Sequence, residues 1–121
     1  MTSTPDERAH GFGTLFERVS IMHASSRWST TTTDVTAVLG QPQFTDGSTW
    51  AVWKTLNVSD ETGPTWSLLG RTTDLPAVAA RAHELGWNVG EVVEGGHEQR
   101  LSLVAPSGLT VIAYTPERKV E

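Results

Sequence analysis

Residues 66–114, WSLLGRTTDLPAVAARAHELGWNVGEVVEGGHEQRLSLVAPSGLTVIAY, decide the fold, because they alone spell a strand, an amphipathic helix and three further strands without interruption. The apolar run 66–70 is the opening strand. Thr73 and Asp74 then offer side-chain oxygens that can cap a helix, and Pro76 suits the first turn, where a missing N–H costs nothing. Leu75, Val78, Ala82 and Leu85 recur at steps of three and four and share one stripe, with Arg81, His83 and Glu84 on the other side. Such a helix covers a sheet. Gly86 can turn left-handed after the last turn, and Trp87-Asn88-Val89 returns to extended chain.

Segments 89–94 and 99–105 are predicted strands separated by Gly95-Gly96, a pair that tolerates the positive φ of tight hairpins, so they should pair antiparallel. Leu101, Leu103 and Ala105 alternate with Ser102 and Val104, and Pro106-Ser107-Gly108 turns the chain. In the last strand Leu109, Val111 and Ala113 oppose Thr110, Ile112 and Tyr114. The mixed face lies away from the helix, where it could line a cavity.

Strand, helix and three strands in this order, with TTDLPAVAARAHELGWNV followed by LSLVAPSGLTVIAY, resemble the vicinal oxygen chelate superfamily of glyoxalases, extradiol dioxygenases and bleomycin-type resistance proteins. The Asp74-Leu75 helix start, Leu85-Gly86 at its end and Pro106-Ser107-Gly108 carry the resemblance, which covers about half the chain. It implies an α+β fold in which paired strand-helix-three-strand (βαβββ) modules form a concave mixed sheet. On that reading residues 1–121 are a single domain with a flexible arm at 1–11, a first module at 15–56 and a second at 65–115.

Working outward, 15–23 is a predicted strand in which Val19, Ile21 and His23 alternate with Arg18, Ser20 and Met22. The Ser- and Thr-rich stretch 24–33 reads as a loop around Trp28. Val35, Val38 and Leu39 share a face of a short predicted helix over 34–39 that ends at Gly40 and Pro42. This DVTAVLG segment resembles the superfamily's first helix without the aromatic pair common there. A strand is predicted over 48–56, with Trp50 and Trp53 on opposite faces, and a loop over 57–65 around Asp60, Gly63 and Pro64. With one convincing strand after Gly47, the first module is expected to be shortened.

Composition narrows the function. A formal net charge of −5 and a pI near 5.3 leave no electrostatic footprint for a phosphate backbone or an anionic membrane, so no nucleic-acid or membrane partner is expected. The absence of cysteine removes disulfides, thiolate nucleophiles and Cys-type zinc sites. MTSTPDERAHGFG lacks a signal-type apolar core, and the expected compartment is the cytoplasm. Five tryptophans against three phenylalanines and one tyrosine either fill the core or line a pocket for a flat ligand.

No catalytic or metal-binding set is legible. There is no G-x-S-x-G, G-x-G-x-x-G or Walker pattern, and Glu91, Glu94 and Glu98 read as a solvated hairpin edge. His10, His23, His83 and His97 form no spaced cluster, His23 alone lying near a superfamily ligand position. The resemblance implies histidines where two strands open and a glutamate where one closes, positions that fall on Ser20, Ser67 and Ile112. No metal and no cofactor are therefore expected.

The expected function is a metal-free protein that binds, and sequesters, a hydrophobic or aromatic small molecule between two module-derived sheets. A homodimer is implied by the antibiotic-resistance branch of the superfamily. The expected ligand-binding residues are Ser20, Met22, Trp28, Trp50, Trp53, Trp66, Ser67, Leu69, Ile112 and Tyr114. The tryptophans would stack, Met22, Leu69 and Ile112 would form apolar wall, and Ser20, Ser67 and Tyr114 would give hydrogen bonds. The register that turns Ser67 inward turns Trp66 toward the helix side. The alternatives are a metal-dependent glyoxalase-, isomerase- or dioxygenase-like enzyme using His23, and an accessory protein-interaction subunit.

Overall fold

The computed structural model describes residues 12–94 and 98–116; the expected arm 1–11 with His10, and the Gly95-Gly96 turn with His97, lie outside them. Among the described residues there are nine strands, two α-helices and one short 3-10 turn, an α+β composition. No described helix is long and apolar enough to cross a membrane. The chain forms two compact units, Val19–Leu69 and the segments that flank it.

The unit Val19–Leu69 contains β1 (Arg18–Ala24), α1 (Trp28–Leu39), β2 (Phe44–Thr45), β3 (Trp50–Trp53), β4 (Leu56–Ser59) and most of β5 (Trp66–Arg71), in the order β2-β3-β4-β1-β5. β1 and β4 run parallel, while β2, β3 and β4 form an antiparallel meander. This corrects the expected first module. The strand predicted over 48–56 is two strands, reversed at Lys54, whose φ of 39° lets Trp53 pair with Leu56. β4 occupies the first part of the predicted loop 57–65. The module is shortened in strand length, not in strand number.

Helix α1 begins at Trp28, so the loop predicted over 24–33 and the helix start predicted at Asp34 are both corrected. Ser and Thr are indifferent helix formers, and tertiary packing overrides that preference here. Trp28 and Val35, two turns apart, pack with Leu56 against a buried cluster of Ala51, Trp53 and Val58. The Trp28 indole N–H donates to the Val58 carbonyl at 3.0 Å, and that of Trp53 to the Gly40 carbonyl at 2.8 Å. The Thr32 and Thr33 hydroxyls donate back to the Ser29 carbonyl at 3.0 and 3.1 Å.

The Asp46 carboxylate organises the turn between β2 and β3. It accepts the Thr49 hydroxyl proton and the backbone N–H groups of Thr49, Ser48 and Trp50 at 2.7, 2.9 and 3.0 Å. These donors, the Thr49 hydroxyl foremost, hold its carboxyl well below the usual carboxylate range.

The flanking unit contains a 3-10 turn (Gly13–Leu15), α2 (Leu75–Glu84), β6 (Asn88–Val89), β7 (Val93–Glu94), β8 (Glu98–Val104) and β9 (Thr110–Pro116). Its strand order is β9-β8-β6, with β7 also on β8. The strand predicted over 15–23 thus starts only at Arg18, because Leu15 belongs to the turn. Asp74 caps α2 by accepting the Ala77 N–H at 3.0 Å, and Leu75, Val78 and Ala82 are buried as the stripe requires, whereas Leu85 at its end is exposed. Gly86 has φ 80°, the left-handed conformation expected there. The pairs Leu101↔Ala113 and Leu103↔Val111 are buried, and Ser102↔Ile112 and Arg100↔Tyr114 alternate with them. The strand predicted over 89–94 is interrupted between β6 and β7, where the Gly90 N–H reaches the Ser102 carbonyl at 2.9 Å. A Cβ at Gly70 would lie 2.5 Å from the Phe16 ring, and Phe16 stacks on Phe12, which meets Trp87 edge-on at 5.4 Å.

Candidate functional site

Strand alternation sorts the unit Val19–Leu69 into two faces. On the α1 side lie Ala51, Trp53, Leu56 and Val58, joined through the β1/β4 register by Ile21 and His23. The same registers put Trp50, Val52, Asn57, Ser59, Met22 and, by alternation, Ser20 on the other face. The β1/β5 boundary continues the pattern. Ala24 N–H donates to the Thr65 carbonyl at 2.9 Å, and the His23 and Trp66 rings meet at 4.4 Å, so these two side chains share the α1 side. Met22 and Ser67 then oppose each other on the second face, with Ser20 and Leu69 beyond them.

This second face is buried although much of it is polar. Ser20, Asn57, Ser59 and Ser67 are at most 8% exposed, and Met22 and Leu69 are equally enclosed. Asn57 Nδ2 donates to Ser20 Oγ at 3.0 Å and to the Ile21 carbonyl at 3.2 Å, and Ser59 Oγ accepts the Glu61 N–H at 2.9 Å. Ser67 is different. Its hydroxyl is sealed from solvent and meets no hydrogen-bond partner among the described residues, an unusual condition for a buried polar group.

Of the expected site residues, Ser20, Met22, Ser67, Leu69 and Trp50 share this face. Trp28 and Trp53 lie instead in the core beneath α1, each with its indole N–H bonded to a backbone carbonyl. Trp66 is 59% exposed beside His23, as the register that turns Ser67 inward requires. Ile112 is buried and Tyr114 half-buried in the flanking unit, where the Arg18 guanidinium approaches the Tyr114 hydroxyl at 3.5 Å. Asn57 and Ser59 escaped the sequence reading. Their alternation with Leu56 and Val58 is the available signal, masked by the turn-forming Asp60, Gly63 and Pro64 that follow.

The donor set does not fit a divalent metal. Serine hydroxyls stand at the positions of Ser20 and Ser67, flanked by Met22 and Leu69, where compact imidazole or carboxylate donors would be needed. Among the described residues no three His, Cys, Asp or Glu side chains come together as a ligand group. His23 turns to the opposite face, its Nδ1 3.1 Å from the Thr65 carbonyl.

No protein-family model and no curated protein sequence matches the chain. Solved structures do. An NAD-dependent benzaldehyde dehydrogenase from Legionella pneumophila matches over 83% of this chain and 100% of its own, with TM-score 0.69 and 12% identity. A glyoxalase/bleomycin resistance protein/dioxygenase superfamily member from Vibrio splendidus 12B01 matches over 82% and 97%, with TM-score 0.59 and 10% identity. At such identities the likeness concerns the fold alone: this chain folds like a glyoxalase/bleomycin resistance protein/dioxygenase superfamily member.

Proposed function

We propose that this chain is a metal-free small-molecule-binding protein that holds and sequesters a hydrophobic or aromatic compound against the Ser20–Asn57–Ser67 face. One observation carries the reading. Ser67 keeps a buried hydroxyl with no hydrogen-bond partner among the described residues. A buried unmet donor costs about 1–3 kcal/mol, a burden that a ligand's acceptor would relieve. Met22 and Leu69 supply apolar surface beside it, and Trp50 adds an aromatic face farther along the same side of the sheet on β3, the usual composition of a small-molecule site. The superfamily fold, whose members include resistance proteins that bind without chemistry, agrees with this role. A homodimer acting in the cytoplasm belongs to the same proposal.

The test is elemental analysis of the purified protein together with native mass spectrometry. A metal-free dimer carrying a small organic passenger, or acquiring one from an aromatic compound library, is the expected result. One divalent ion per chain that survives dialysis would overturn the proposal in favour of a metalloenzyme.

A further inference from the structure

The chemistry of the Ser20–Asn57–Ser67 face restricts what can occupy it more closely than apolar character does. We infer, resting on the binding role proposed above, that the part of the ligand seated here is an uncharged hydrogen-bond acceptor on an apolar skeleton, such as a ketone or amide carbonyl. It is not a carboxylate, a phosphate or an ammonium group.

Two features of the lining lead there. The first is neutrality. Ser20, Met22, Asn57, Ser59, Ser67 and Leu69 are all buried and none ionises, so a charged group placed among them would lose its hydration with no counter-charge in return. The second is a surplus of donors. Asn57 spends its amide N–H groups on Ser20 Oγ and the Ile21 carbonyl. Because Ser20 Oγ accepts that bond, its own proton is left for another acceptor. Ser67 contributes a second hydroxyl proton with no acceptor among the described residues. Ser59 Oγ, which likewise accepts the Glu61 N–H, keeps a third, and three unspent O–H donors call for lone pairs on the ligand. Met22, directly across from Ser67, is unbranched and can change rotamer to admit a guest to a hydroxyl that is sealed in the free protein.

A matched trio of probes tests this on the full chain labelled with nitrogen-15: 2-acetylnaphthalene, 2-isopropylnaphthalene and 2-naphthoate. They share a skeleton and shape and differ in offering a neutral acceptor, no acceptor or an anion. Amide shifts in β1, β4 and β5 report occupancy of the face. The ketone should bind there about five- to tenfold more tightly than the hydrocarbon, the worth of one buried hydrogen bond. The naphthoate should leave these amides unmoved at a hundredfold higher concentration. In Ser67→Ala the ketone's advantage over the hydrocarbon should shrink to what the Ser20 and Ser59 hydroxyls support, and an undiminished advantage would overturn the role given to Ser67. Naphthoate binding on this face as tightly as the ketone, or a hydrocarbon equal to the ketone in the wild type, would overturn the inference and leave small-molecule binding standing. No shift at these amides from any of the three would overturn the binding role itself, and the inference with it.

Discussion

Replacing Ser67 by alanine should make the protein more stable. The hydroxyl sits on β5 at 2% exposure without a partner, so the folded state bears a desolvation penalty of about 1–3 kcal/mol that the unfolded chain, bonded to water, does not. Deleting one oxygen leaves a void of roughly 10 Å³, which at about 24 cal/mol per Å³ returns only about 0.2 kcal/mol. The poorer strand preference of alanine takes away a few tenths more, on the order of 0.3 kcal/mol. The net expectation is a gain of about 1 kcal/mol, a rise in Tm of roughly 3–6 °C for a chain of this size. Urea unfolding followed by tryptophan emission reads it as a higher midpoint at unchanged m. The same change at Ser20, on the same face, should have the opposite sign. It strips an acceptor from Asn57 Nδ2 and should cost about 1–2 kcal/mol. A Ser67→Ala protein destabilised by as much as Ser20→Ala would mean that the Ser67 hydroxyl has a partner, and the binding argument built on it would fall.

Trp53→Ala should cost about 3–5 kcal/mol, since the ring is buried under α1 and its N–H holds the Gly40 carbonyl; loss of the helical circular dichroism of α1 before global unfolding is the signature. Gly70→Ala should cost about 1–3 kcal/mol through collision with the Phe16 ring, and Phe16→Leu in the same chain should recover part of it in chemical denaturation. The Asp46 carboxyl is held below its unfolded value, so its contribution is complete above the unfolded carboxylate pKa of about 3.9 and fades as pH falls through the folded pKa. The stability difference between wild type and Asp46→Ala should therefore be larger at neutral pH than in strong acid, and a gap independent of pH would refute the assignment. Asp74→Ala should remove the cap on the Ala77 N–H for about 1 kcal/mol, read as a lower urea midpoint.

The second half of the chain was legible because its signals are local. Asp74, Pro76 and Gly86 mark the ends of α2 by backbone chemistry, and the alternation through 101–105 and 109–114 assigns faces without knowledge of any partner. The first half was not, because its elements are determined by distant contacts. Nothing in the run Ser29–Thr33 announces a helix until Trp28 and Val35 are seen to rest on Ala51 and Val58. The reversal at Lys54 was equally hidden, since no glycine, asparagine or proline marks it. At the candidate site Ser20 and Ser67 stand at positions that the superfamily resemblance implies, counted back from Leu39-Gly40 and Asp74-Leu75, and period-two alternation then sets their face. Assigning the tryptophans required the register, which put Trp50 on the site face and sent Trp28 and Trp53 to the core.

Helix α1 has a consequence for the birth of the protein. Its first residue is anchored to the Val58 carbonyl, 30 residues downstream, and its own Ser- and Thr-rich sequence does little to keep it helical alone. During synthesis at about 5–20 residues per second, roughly 1.5–6 s pass between the making of Trp28 and the making of its acceptor. For that interval the nascent segment is an open, hydroxyl-rich coil carrying one indole. The helix therefore cannot close on its core until β4 has been made, so this unit is completed from its later strands backward rather than in the order in which it is synthesised.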